Sequence, residues 1–153
     1  MKTILSQIKT TLRNSTTLRY VNKIEIVSPK LLPDISSSLL PYIGIAPVST
    51  SESWIAQQKE AVHSVDVYAV IWLQIPESAI LGDSVKKGML EVVDDISSVL
   101  RGERLLVNSN YYLSKPIEIT NIDYVVAQYG DNAFLLVADI SLRCVRRFAL
   151  TLP

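Results

Sequence analysis

The sequence predicts a single α+β domain with a mixed, mainly antiparallel β-sheet and helices packed on one face. Three long runs rich in β-branched and aromatic residues predict the sheet: Ala61–Leu73, Ile117–Val126 and Ala133–Arg143. The last two flank the turn Gln128–Asn132, whose Gly, Asp and Asn are typical of a β-hairpin. The amphipathic segment Asp83–Arg101 predicts a helix on the sheet. The predicted order is helix, three strands, helix and two strands, in one domain over residues 1–153.

The first fifty residues predict one helix and two short strands. Apolar residues at helical spacing predict a helix over residues 3–14, with the stripe Ile4, Leu5, Ile8 and Leu12. A strand follows at Lys23–Val27, and the proline- and serine-rich segment Ser28–Leu40 is typical of a connection. The next strand, Pro41–Pro47, is bounded by prolines. This fits an edge or near-edge position, because proline cannot donate to a β-ladder.

The alternation of side chains separates the two faces of the long strand Ala61–Leu73. The more apolar face should meet the helices, and it comprises His63, Val65, Val67, Ala69, Ile71 and Leu73. The other face begins polar and becomes apolar towards Trp72. In the helix, a stripe recurs every three or four residues at Val85, Met89, Val92, Ile96 and Val99. The predicted core includes Val67, Ala69, Ile71, Met89, Val92, Ile96, Leu136 and Ile140.

Two long polar segments, Val48–Glu60 and Glu103–Pro116, are predicted to be mobile loops. They carry the aromatic residues Trp54, Tyr111 and Tyr112. Aromatic side chains in loops are often interface anchors, although they can also fold back over the core. We therefore expect a partner to contact these three residues and to order both loops.

The charge of the chain is zero overall but unevenly distributed. Residues 1–30 hold six basic side chains against Glu25, and Arg143, Arg146 and Arg147 add three more near the C-terminus; the residues between are acidic by eight. Basic ends and an acidic middle can attract each other between subunits, or steer a negative partner to one face. The three arginines are thus candidate interface residues, although ordinary solvated charge explains the pattern as well.

The chemistry of common enzymes is missing from the sequence. No glycine-rich phosphate loop can be written, and one histidine with one cysteine excludes standard zinc spacings. No serine lies in a sharp nucleophile turn for which His63 could act as the base. A small enzyme centred on His63 is therefore the least favoured hypothesis. Cys144 is interpreted as a passive thiol, although the neighbouring arginines could lower its pKa. We expect no enzyme, no catalytic residue, no metal and no cofactor.

The compartment is also indicated by composition. The single cysteine excludes an internal disulfide and favours an intracellular folding compartment. No run of about 18 apolar residues exists, so we expect no membrane partner.

The ordered pattern of elements resembles the tail-terminator, or tail-completion, proteins of long-tailed bacteriophages. It comprises the helix Ile4–Leu12, the proline-bounded strand Leu40–Pro47, the polar loop Ser49–Glu60, the strand Val62–Leu73, the helix Val85–Leu100 and the hairpin Ile117–Leu142. The resemblance covers most of the chain and includes no residue-level motif.

The resemblance implies a structural virion protein that is assembled in the host cytoplasm. Such proteins form rings, usually hexamers, that end the tail tube and join it to the capsid. The implied partners are other copies of this chain, a tail-tube protein and a head-connector protein, with DNA passing through the ring as a further candidate. A ring needs two different patches that meet head to tail, which opposite charges or exposed sheet edges could supply.

The alternative function is a nucleic-acid-binding module. It would use Arg143, Arg146 and Arg147 together with the basic N-terminal segment to contact phosphates. Aromatic residues are not interleaved with these arginines, as they are in proteins that stack the bases of single strands.

Overall fold

The computed structural model describes residues 1–29, 35–129 and 133–149. The helices are α1 (Lys2–Asn14), α2 (Pro76–Leu81) and α3 (Met89–Leu100). The strands are β1 (Lys23–Ile26), β2 (Tyr42–Ile55), β3 (Gln58–Trp72), β4 (Leu106–Val107), β5 (Asn110–Tyr111), β6 (Glu118–Tyr129) and β7 (Ala133–Ala149). Short 3-10 turns at Thr16–Leu18 and Ser37–Leu39 complete the described elements.

Five strands form one sheet in the order β1-β2-β3-β7-β6, and β4 pairs with β5 separately. β1 is parallel to β2, and the other pairs of the large sheet are antiparallel. The predicted mixed, mainly antiparallel sheet is therefore confirmed. The proline-bounded strand lies one position from the edge, and its Pro47 sits at a shift of register against β3. The middle of the hairpin turn, residues 130–132, and residues 30–34 of the predicted connection lie outside the described residues.

The main core lies between the helices and one face of the sheet. The eight predicted core residues are all buried, and none is more than 7% exposed. The predicted helix-facing residues of β3 from Val65 to Ile71 belong to this cluster, together with Ile4, Ile8 and Leu12 of α1. A second cluster on the opposite face combines Tyr42, Tyr68, Val70, Leu135 and Val137 with Ile35. Both faces of β3 thus follow the predicted alternation.

The helix predicted over Asp83–Arg101 begins only at Met89. The Asp83 carboxylate accepts hydrogen bonds of 2.8 Å from the backbone nitrogens of Val85 and Lys86, which holds a turn in place of a helical start. Gly88 then lies so close to the backbone of Gly82 that a Cβ would overlap it. Val85 is consequently 85% exposed, and its predicted place in the buried stripe is wrong.

The mobile loop predicted at Val48–Glu60 is also wrong, because this segment continues β2 and begins β3. The two strands pair without interruption from Ser49 opposite Ser64 to Ile55 opposite Gln58. We call Val48–Gln58 the arm. All its side chains are exposed, so pairing with β3 satisfies backbone groups on one edge while both faces remain in water. A composition rich in Ser, Thr and Gln reflects this double exposure and does not indicate a loop.

The second predicted loop, Glu103–Pro116, is partly a core element. Leu105 and Leu113 are each 1% exposed, and the Leu113 nitrogen donates to the Arg104 carbonyl at 3.0 Å. The small β4–β5 hairpin turns through Asn108 and Ser109, whose positive φ angles of 51° and 67° fit a two-residue hairpin turn. Only the tip of this segment is therefore free of the core.

Candidate functional site

The three candidate arginines lie on β7, but they do not form one patch. Alternation along the strand places Arg146 on the helix side of the sheet, and Arg143 and Arg147 on the other. The Arg147 Nε donates to the Glu60 carboxylate at 2.6 Å, and Glu60 is only 7% exposed. This hydrogen bond holds the pKa of Glu60 below its usual value. Arg143 lies 3.5 Å from the Glu118 carboxylate, so these two guanidinium groups face carboxylates of the same chain.

Arg146 contacts Tyr112, an aromatic residue of the segment that was predicted to be a loop. Its Nη1 donates to the Tyr112 hydroxyl at 2.7 Å, and its guanidinium carbon lies 4.0 Å from the Tyr112 ring centroid. The Phe148 ring lies 5.7 Å away on the same face. Tyr112 thus folds back and anchors the Glu103–Pro116 segment to β7 by a cation–π contact.

Trp54 and Tyr111 remain exposed, at 57% and 63%. Trp54 lies near the tip of the arm. Tyr111 lies on β5, with the Arg104 guanidinium carbon 4.4 Å from its ring centroid. The structure therefore brings Tyr112 and Arg146 together, and keeps Trp54 and Tyr111 available as separate candidate anchors.

His63 and Cys144 lie opposite each other on β3 and β7 and are both buried. The Thr50 hydroxyl is 2.9 Å from His63 Nδ1, and burial lowers the histidine pKa. That partner is a hydroxyl, not the carboxylate of a catalytic triad. Burial raises the pKa of Cys144 to about 12, so the arginines do not activate the thiol.

A row of carboxylates crosses the other face of the sheet. Asp139 lies opposite Asp123 of β6, and Asp66 of β3 is a diagonal neighbour. Desolvation, followed by the charges of Asp66 and Asp123, raises the pKa of Asp139 to about 6. Across the described parts of the chain, no group of three or more His, Cys, Asp or Glu residues could hold a metal ion.

Two exposed apolar surfaces were not assigned to residues by sequence reasoning, which expected exposed sheet edges in general. Tyr124, Val125 and Val126 are each about half exposed on the edge strand β6. A groove of about 540 Å³ lies at the other end of β3 from the arm, beside Trp72, Ile75 and Lys86. The apolar run of the first surface is visible in the sequence, but its exposure on an edge follows from the strand order.

Comparison with known proteins leaves the family open and identifies the fold. No protein-family model matches the chain, and no curated protein matches it either. Among solved structures, it is similar to a chain in the virion of a native gene transfer agent particle. The TM-score is 0.64 at 13% sequence identity, over 95% of each chain. At this identity the likeness shows a shared fold. In the described ranges, no helix has the length and hydropathy needed to cross a bilayer.

Proposed function

We propose that this chain is a structural virion protein of a long-tailed phage or prophage. It assembles into a ring of six subunits that ends the tail tube and joins the tail to the head. The observation that carries the proposal is the fold, which the chain shares over 95% of its length with a chain of a virion particle. The proposed role is architectural and requires no catalysis.

The buried polar chemistry of the described residues supports an architectural role. The histidine and the cysteine are enclosed here: His63 faces a threonine hydroxyl, and Cys144 is a buried thiol. The charged pairs instead fasten strands and loops, as Arg147 does with Glu60 across β7 and β3. Side chains that could meet a partner lie at the arm tip, the β4–β5 hairpin and the β6 edge.

Assembly on tail tubes tests the proposed function. Tubes would be purified from a strain that lacks this gene, mixed with the protein, and imaged by negative-stain electron microscopy. We expect one ring at one end of each tube, an arrest of further tube growth, and a six-subunit mass by native mass spectrometry. A protein that leaves the tubes bare and still able to elongate would overturn the proposal.

The nucleic-acid alternative has less support. Each of its three arginines already contacts Glu118, Tyr112 or Glu60, and they are divided between two faces of the sheet. A phosphate-binding surface normally gathers its basic groups on one face. In the basic N-terminal segment, exposed side chains remain available to this hypothesis at Lys2, Arg13, Arg19 and Lys23.

A further inference from the structure

Among the described residues, no strand pairs with the outer edge of β6. β6 is twelve residues long and ends the five-stranded sheet. A shift of register lies near its start, between Ile119 and Asn121, and the strand contains no lysine, arginine or proline to block the rest of the edge. Its consecutive residues Tyr124, Val125 and Val126 are 48%, 55% and 54% exposed. A long apolar edge of this kind is a template for another strand.

The opposite edge of the sheet is β1, which has an exposed apolar residue and a groove beside it. β1 is only four residues long, and Ile26 on it is 43% exposed. Beside it lies a shallow groove of about 490 Å³, lined by Leu5, Ile26, Val27, Pro29 and Pro47 among others. An incoming strand could hydrogen-bond to the edge and place a side chain in this groove.

Charge favours contact between these two different edges. β6 carries Glu118 and Asp123 without a basic residue of its own, and Glu118 also lies 3.5 Å from Arg143 of β7. β1 and the segment leading into it carry the exposed residues Arg19 and Lys23. Glu25 of β1 remains charged and accepts a 2.6 Å hydrogen bond from the Tyr42 hydroxyl, so this segment has an excess of one basic group. Two β6 edges would bring carboxylates together, whereas β6 against β1 brings acidic residues to a segment with a basic excess.

Strand direction is compatible with the same pairing. β1 and β2 are parallel, and three antiparallel pairings then lead to β6, so β6 runs opposite to β1. When the sheet continues from one copy into the next, β6 of the first is antiparallel to β1 of the second. The contact is head to tail, which is the type that closes into rings.

We infer that β6 of one copy pairs with β1 of the next copy, so that the sheets join into one continuous ring. This inference rests on the proposed function, since it names the contact that builds the ring. It assigns the occupant of the β6 edge as a second copy of this chain.

Site-directed cross-linking tests this contact directly. Cys144 is fully buried, so a cysteine added at the surface is the group that reacts. Purified Ile26→Cys and Val125→Cys proteins would be mixed and treated with a short bismaleimide. We expect a heterodimer in at least tenfold excess over the products of either protein alone. Leu81→Cys, which replaces a residue 58% exposed on α2, is the matched control and should not link to Ile26→Cys.

An edge variant separates this inference from the proposed function. Val125→Lys should weaken ring formation at least tenfold in native mass spectrometry and leave the melting temperature unchanged, whereas Leu81→Lys should assemble normally. The edge contact would be overturned if rings formed equally well with Val125→Lys. It would also be overturned if Val125→Cys copies linked mainly to each other. Either result would leave the proposed function standing. Wild-type protein that forms no ring even on tail tubes would overturn both.

Discussion

At the scale of single residues, burial decides which side chains can serve a partner. Met89 is 1% exposed although it is the first residue of α3, because the preceding turn positions its side chain in the main core. Its neighbour Leu90 is 41% exposed on the same helix. This contrast allows a direct test of which face of α3 packs on the sheet.

We expect Met89→Asp to lower the free energy of unfolding by at least about 3 kcal/mol, because a carboxylate would be buried without a partner. Leu90→Asp should cost less than about 1 kcal/mol, since that side chain can reach water. Urea unfolding monitored by circular dichroism measures both. Equal losses would mean that the helix face is wrongly assigned.

Asp139 predicts a pH dependence of stability. Its pKa of about 6 lies above the ordinary value of 3.8, so the folded state binds the proton more tightly than the unfolded state. Its contribution to stability is therefore present below about pH 4 and is lost as the pH rises through 6. Asp139→Asn should melt at a higher temperature than the wild type at pH 7.5, with the difference shrinking towards pH 4.

The exposed Asp94 on α3 supplies a control for the loss of one carboxylate. Asp94→Asn removes a group that water already solvates, so it should not reproduce the gain in melting temperature at pH 7.5. A difference between Asp139→Asn and the wild type that stays constant from pH 4 to pH 7.5 would contradict the assignment of the titration to Asp139.

At the scale of elements, the two segments predicted as loops behave differently. The arm is paired along its backbone, yet its side chains touch water on both faces. The Glu103–Pro116 segment is fastened by Leu105, Leu113 and the Tyr112–Arg146 contact. Local stability follows buried contacts, so these segments should open with different free energies.

Hydrogen exchange on the isolated chain checks this difference. The Tyr112 and Leu113 amides, which donate to backbone carbonyls at 2.7 and 3.0 Å, should exchange slowly. The arm amides near Trp54 should exchange faster and gain protection on assembly. Strong protection of the arm in the monomer would contradict the expectation that neighbouring subunits order the arm on assembly.

The candidate aromatic anchors Trp54 and Tyr112 should also differ in their contribution to stability. Trp54→Ser should change the free energy of unfolding by less than about 0.5 kcal/mol, because the side chain is mostly exposed. Tyr112→Ser should cost about 1–3 kcal/mol, because it removes the hydrogen bond and the ring that hold Arg146. Thermal unfolding of both variants measures the difference, and a larger loss for Trp54→Ser would show that the arm tip is packed.

At the scale of the whole molecule, charge decides between a ring and a nucleic-acid-binding module. We expect no measurable binding of duplex or single-stranded DNA at about 150 mM salt by fluorescence anisotropy, because the β7 arginines already have partners. Binding that weakens steeply with salt and is abolished by charge reversal at Arg143, Arg146 and Arg147 would favour the alternative function. A melt of each variant is the control, since reversal at Arg147 also breaks its pair with the buried Glu60.

The sequence by itself determined the parts of this protein that depend on local periodicity. Alternation along β3 and the stripe through Met89, Val92 and Ile96 predicted both buried faces, because side-chain direction repeats every two residues in a strand and every 3.6 in a helix. The fold class followed, since such faces must be buried against each other.

Only the tertiary structure decided where elements begin and what their exposed parts do. α3 starts at Met89 because Gly88 packs against the backbone of Gly82, a contact that local propensity does not contain. The arm is a strand because β3 supplies its hydrogen-bond partners, although its composition is that of a loop. The same long-range pairing left Tyr124–Val126 on an open edge and divided the arginines of β7 between two faces. The open edge and the division of the arginines arise between residues distant in sequence, so a pattern read along the chain does not determine them. The start of α3 and the arm depend on shorter contacts, within one turn and one hairpin, that periodicity does not contain.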